Sequence, residues 1–140
     1  MDDNPDSTFQ ALDDADDVII GPPALLLCGF ERDEGARLGE LLHSIGATDH
    51  RVVCCTTTMG TWPVSRALTG ADDGVLLPVG KVPRIALLSG LNDKQVGEAL
   101  DRYASTGLPR PIFAVATATN LAFTVVQLLE DLLAERQAVE

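Results

Sequence analysis

Two kinds of apolar pattern alternate along the chain. Short unbroken runs, Ala24 to Cys28 and Ile85 to Ser89, have the length of strands buried on both faces. After each comes a spaced stripe: Leu38, Leu41, Leu42 and Ile45, then Val96, Ala99, Leu100 and Tyr103. That i, i+3, i+4, i+7 spacing is one buried face of a helix. Gly46 and Gly107 stand where such helices end in a left-handed residue. Second apolar runs follow, Arg51 to Thr56 and Ile112 to Thr117, each leading through a threonine-rich turn into another helix. The first of these helices is short, since Pro63 suits a first turn and Gly70 stops it. The second is long, with Leu121, Val125, Leu128, Leu129 and Leu132 as its stripe and Gln127, Glu130, Asp131 and Glu135 off it. Val18 to Ile20 and Val75 to Leu77 read as extra edge strands.

The two halves echo each other at an offset of 61 positions. "PPALLLCGF" (22–30) falls on "PRIALLSGL" (83–91). Without a gap, Gly46 then meets Gly107, Thr56 meets Thr117, Thr58 meets Thr119, Trp62 meets Phe123 and Val64 meets Val125. Asn92 and Gln95 have the spacing of a capping box. Glu31 and Glu34 hold the matching places and favour a helix N-terminus electrostatically. Strands joined by helical crossovers pair in parallel. The expectation is one α/β domain of two pseudo-symmetric β-α-β-α repeats, about 17–70 and 71–136, on a mainly parallel sheet of four or more strands. A ferredoxin-like α+β arrangement is the alternative.

Charge changes the picture at one end. The formal net charge is −11, yet seven Asp and no Lys or Arg lie in the first 20 residues, leaving −4 for the rest. Residues 1–16 read as an acidic disordered leader ahead of the domain at 17–140. Ten basic residues without a cluster exclude a nucleic-acid-binding surface. No apolar run reaches the roughly 18 residues that span a bilayer, and Met1 leads into Asp rather than a secretory signal. The expected setting is soluble and intracellular, cytoplasmic, or the plastid stroma if a transit peptide has been removed.

The chemistry-bearing residues form no familiar set. Cys28, Cys54 and Cys55 lack metal-ligand or disulfide-framework spacing, so buried thiols in a reducing compartment are expected, and no metal or cofactor. His43 and His50 read as solvated, and Ser89 as a small residue at a strand end without the nucleophile-elbow pattern. If all four strands run in parallel, their carboxyl ends share one rim. Gly29, Thr56, Thr58, Gly90, Thr117, Thr119 and Asn120 would line that rim, where open α/β sheets take ligands. The threonines and Asn120 are equally standard helix caps. Trp62 and Phe123 are either core aromatics or partner anchors.

The stretch "GLPRPIFAVATATNLAFTVVQLLEDLLAE" (107–135) resembles a known uncharacterised family, the domain of unknown function 3783. Ala114, Val115, Thr117, Thr119, Asn120, Leu121, Thr124 and Leu128 match its strand-to-helix hallmark, while Ala118 and Phe123 replace a proline and a tryptophan. "SGLNDKQVGEAL" (89–100) is similar to the glycine turn and helix that precede it. The resemblance spans about residues 83–136 and implies no activity, cofactor or catalytic residue.

Three functions are compatible with these residues. The first is a non-catalytic protein-interaction, regulatory or assembly domain. The second is a sensor of a small molecule or anion at the strand-end rim. The third is a thiol redox protein. Nothing in the sequence sets the oligomeric state.

Overall fold

The computed structural model describes residues 19–70, 74–78 and 80–139. The acidic leader at 1–16 and the start of the first proposed edge strand, Val18, lie outside these residues. Four strands form one open sheet: β1 (Ala24–Cys28), β2 (Arg51–Cys54), β3 (Ile85–Ser89) and β4 (Ile112–Val115), in the spatial order β2-β1-β3-β4. The five α-helices among the described residues are α1 (Arg32–Ser44), α2 (Val64–Thr69), α3 (Asp93–Arg102), α4 (Ala118–Leu121) and α5 (Val125–Val139). This is a mixed α/β fold with a mostly parallel sheet. The strand and helix order departs from the β-α-β-β-α-β order of a ferredoxin-like fold.

Strand alternation divides the interior into two cores. Leu26, Leu87, Cys28 and Ile85 face one side with Val64, Leu68, Val125, Leu128 and Leu132 from α2 and α5. Leu25, Leu27, Ala86 and Leu88 face the other with Leu38, Leu42, Ala99 and Tyr103 from the α1 and α3 side. The central strands β1 and β3 are buried along their whole length, which is why both read as unbroken apolar runs.

Within each half the strands pair in parallel, β1 with β2 and β3 with β4, but β1 and β3 run antiparallel. This corrects the single-rim expectation. The carboxyl ends of β1 and β2 lie at one end of the sheet, and those of β3 and β4 at the opposite end. The reason lies in the connection. The end of α2 lies beside the first residue of β2, since Arg51 Nη1 and Nη2 donate to Thr69 O and Gly70 O, both at 2.8 Å. The chain after it is held at the end where β2 finishes: Thr57 N–H donates to Val75 O at 2.9 Å and Leu77 N–H to Cys55 O at 3.2 Å. β3 therefore starts beside the end of β1, with Ile85 opposite Cys28. The Val75 to Leu77 edge strand is reduced to an isolated bridge, Leu76 with Thr56. Ile19 and Ile20 are in no strand.

The offset of 61 recurs in the geometry. Ala24 pairs with Arg51 as Ile85 pairs with Ile112. In the antiparallel centre Leu26 faces Leu87, its own counterpart at that offset. Across the α2 and α5 face, Val64 N–H donates to Phe123 O at 2.8 Å and Val125 N–H to Trp62 O at 3.0 Å, the same bond in both directions. This crossing also explains why the expected single long helix is two. The backbone at 123–125 is engaged with 62–64. The helix restarts at Thr124, which closes a capping box with Gln127: Thr124 N–H to Gln127 Oε1 at 2.8 Å and Gln127 N–H to Thr124 Oγ1 at 3.1 Å.

Candidate functional site

The rim residues separate into two groups at opposite ends of the sheet. Gly29, Thr56 and Thr58 follow β1 and β2. Gly90, Thr117, Thr119 and Asn120 follow β3 and β4. Thr56 is buried in its bridge to Leu76. Thr117 and Asn120 close a reciprocal capping box on α4, with bonds of 2.8 and 3.0 Å, and Asn120 Nδ2 donates to Val115 O at 3.1 Å. Thr117 and Asn120 are thus engaged at the start of α4 and the end of β4, while Thr58 and Thr119 are exposed. Trp62 and Phe123 pack half-buried against the core at the crossing of the halves. The Arg66 guanidinium lies over the Trp62 ring, 4.1 Å from its centroid.

No hydrolytic or metal-binding set assembles among the described residues. His50 Nε2 sits 2.9 Å from Ser89 O, a main-chain atom, and so is no partner for the serine hydroxyl. Ser89 Oγ is fully buried without a hydrogen-bond partner among the described residues. No group of three or more His, Cys, Asp or Glu there could hold a metal ion. Cys28, Cys54 and Cys55 are free and buried. A hydrogen bond with Cys55, together with burial, raises the Cys28 thiol well above its ordinary range. Burial pushes Cys54 up as well, so both stay protonated near neutrality and are poor nucleophiles, whereas the same hydrogen bond with Cys28 lowers the Cys55 thiol against its burial. None of the described helices is long and apolar enough to cross a membrane.

The two outer strands each turn one set of main-chain groups away from the sheet, although Val53 and Cys54 of β2 are themselves buried. At β2, Arg51 N–H donates to Pro23 O and Cys55 N–H to Leu27 O. Because alternate residues of a parallel strand face alternate neighbours, Val52 and Cys54 turn their N–H and C=O away from the sheet. At β4, Ile112 N–H donates to Arg84 O and Ala116 N–H to Leu88 O, so Phe113 and Val115 are the outward pair. Asn120 occupies Val115 O, and the Arg110 guanidinium lies 5.3 Å from the Phe113 ring centroid. The β4 edge is thereby partly closed.

Among the described residues no main-chain group pairs with the outward side of β2, and a groove of about 270 Å³ lies beside it, lined by Arg32, Gly35, Ala36, Gly39, Val52 and Cys54. Small residues make it. Gly35 lies so close to β2 that a Cβ there would meet Cys54 Sγ at 3.0 Å, while one on Gly39 would stand 3.6 Å from Val52 Cγ2. The positions 61 residues on hold Val96 and Leu100 where Gly35 and Gly39 stand, and Phe113 opposite Val52. Sequence reasoning missed this groove, because Gly35 and Gly39 fall outside the apolar stripe. A signal was present in the four-residue spacing of two glycines on one helix face.

A larger cleft of about 390 Å³ lies between α1 and the turn after α3, lined by Arg37, Glu40, Leu41, Ser44, Arg102, Ser105 and Thr106. Its arginines, serines and threonine are engaged with main-chain carbonyls. Arg102 Nη1 donates to Ser44 O at 2.9 Å, Ser105 Oγ to Arg102 O and Thr106 Oγ1 to Tyr103 O, both at 2.7 Å. The arginines there act as caps on helix C-termini, where cations are favoured.

Residues 84–139 match a domain of unknown function, DUF3783. The DUF3783 segment comprises β3, α3, β4, α4 and α5. The β2 edge and its groove belong to the half that precedes it. No curated protein and no solved structure matches the chain.

Proposed function

We propose that this domain is a non-catalytic interaction module that takes an extended segment of another protein on its β2 edge. One observation carries the reading: a sheet edge whose outward backbone groups lie beside an apolar groove. That pairing of edge and groove is what strand addition uses, with main-chain bonds for affinity and a side-chain pocket for specificity. The burial of Ser89 Oγ and of the three thiols, and the engagement of His50 Nε2 with a main-chain carbonyl, support a role without bond-making chemistry.

The test is a comparison of proteins co-purified with the full chain and with Val52→Pro. The Val52 N–H points outward, so proline there removes a docking bond and no internal ladder bond, as edge strands tolerate. The expected result is a partner recovered by the wild type and lost from a folded Val52→Pro. Equal recovery by both proteins is the result that sinks the reading.

The shared offset of 61 further supports descent of the two halves from one duplicated unit, with the groove arising where the first half took glycines. Hydrogen exchange checks this: Cys55 and Ala116, whose amides make the matching bonds to Leu27 O and Leu88 O, should be protected to a similar degree. Protection confined to one half counts against it.

A further inference from the structure

We infer that the segment bound at β2 presents one apolar side chain to the groove and one carboxylate to Arg32; this rests on the edge-docking reading above. The groove walls are aliphatic, glycine or thiol, and a protonated Cys54 behaves as a small apolar group. Arg32 is the one charged residue in the lining. It is the first residue of α1, whose N-terminal end carries positive partial charge. Among the described residues its guanidinium makes one hydrogen bond, Nη2 to Gly74 O at 3.2 Å, out of five N–H groups. Of the three acidic residues at this helix end, Glu31 and Asp33 are exposed and make no hydrogen bond to Arg32. Glu34 has both carboxylate oxygens on Arg84, at 2.9 and 3.1 Å.

The overall charge sets the number of carboxylates. A chain of net charge −11 repels an acidic run at long range. A single carboxylate in an otherwise neutral or basic segment gains the contact at Arg32 without that penalty. The recognised chemistry is therefore an extended stretch of alternating apolar residues with one Asp or Glu at fixed spacing from the groove-filling side chain.

A display library of random segments about twelve residues long, long enough for one strand and its flanks, tests this against the full chain. Enriched segments should share one apolar position and one acidic position. Their binding should weaken at least about fivefold on Arg32→Gln, as loss of a charge-assisted bond does, and disappear on Gly39→Leu. That variant copies the residue of the second half into the groove and adds helix propensity, so it keeps the fold. Enriched segments with no acidic position, or binding unchanged by Arg32→Gln, overturn this inference, and the edge reading stands if Val52→Pro still abolishes binding. Enriched segments indifferent to both Val52→Pro and Gly39→Leu, or no enrichment at all, overturn both.

Discussion

Two glycines of identical backbone angle isolate what close packing at the start of β1 contributes to stability. Gly90 and Gly107 both have φ of +75°. An added Cβ at Gly107 meets nothing within 4 Å, whereas at Gly90 it meets Pro23 Cα at 2.6 Å, Pro22 O at 2.7 Å and Pro22 C at 2.9 Å. All three atoms are backbone, so no rotamer change relieves the contact. The same segment is tied down by Gly90 N–H donating to Ile20 O at 3.0 Å. Gly107→Ala should cost only the left-handed penalty, about 1–2 kcal/mol. Gly90→Ala should add overpacking of about 1–3 kcal/mol, for a total of about 2–5 kcal/mol. In a domain of this size each kcal/mol lowers Tm by roughly 3–4 °C. Urea unfolding of the wild type and both variants measures the difference, provided the three m-values agree. Variants within about 0.5 kcal/mol of each other, less than the smallest crowding cost expected, would refute the claim that Gly90 is required by a close backbone approach.

Three further outcomes follow from the buried groups. Glu34 is held below its ordinary carboxylate range, first by the hydrogen bond from Arg84, and the side chains of Arg84 and Glu34 are only 21% and 16% exposed. A depressed carboxylate stabilises above its unfolded value and loses that contribution as pH falls through the folded one. Glu34→Gln should thus cost about 1–2 kcal/mol at pH 7, and urea midpoints of the two proteins should converge in strong acid; a constant gap refutes the linkage. Ser89→Ala removes a buried hydroxyl that lacks a partner among the described residues and should be neutral or stabilising by up to about 1 kcal/mol; a loss above that amount in thermal unfolding would reveal a bond at Oγ. Cys28 and Cys55, buried in the core shared by α2 and α5, should label with a thiol reagent only as fast as the native protein unfolds, and rapid labelling of either would contradict their inert placement.

Most of the fold was legible because each signal was local. Leu38, Leu42 and Ile45 are buried as their spacing demands, and Gly46 and Gly107 are left-handed at the ends of their helical segments. Asn92 with Gln95 and Glu31 with Glu34 close capping boxes at equivalent helix starts. The relative direction of the halves was not legible, because no local pattern records whether Ile85 starts beside Ala24 or beside Cys28. That choice is made by the tether of 75–77 to 55–57, two main-chain bonds whose side chains are incidental. The break between α4 and α5 was hidden for the same reason. Leu121, Val125 and Leu128 keep helical spacing across it, while the crossing bonds to Trp62 O and Val64 N–H interrupt the backbone.

The antiparallel centre has a functional consequence that a parallel sheet would not have had. With four carboxyl ends on one rim, Thr56, Thr58, Thr117 and Thr119 would converge, and a shared ligand site would be the economical reading. With the halves opposed, the two threonine turns stand at opposite ends of the sheet, Thr117 capping α4 and Thr56 lying in its bridge to Leu76. What the halves share instead is a pair of outer strands, β2 and β4, placed alike by the same registers. Their difference then rests on a few side chains. Phe113, Val96 and Leu100 fill in the second half the space that Val52, Gly35 and Gly39 leave in the first, and Asn120 covers a carbonyl that has no matching cover from Met59. One edge is thus blunted, as sheet edges are when pairing must be avoided, and the other has no main-chain partner among the described residues beside its groove. This difference between the two outer strands, among the described residues, is what supports the proposal that β2 takes a partner segment.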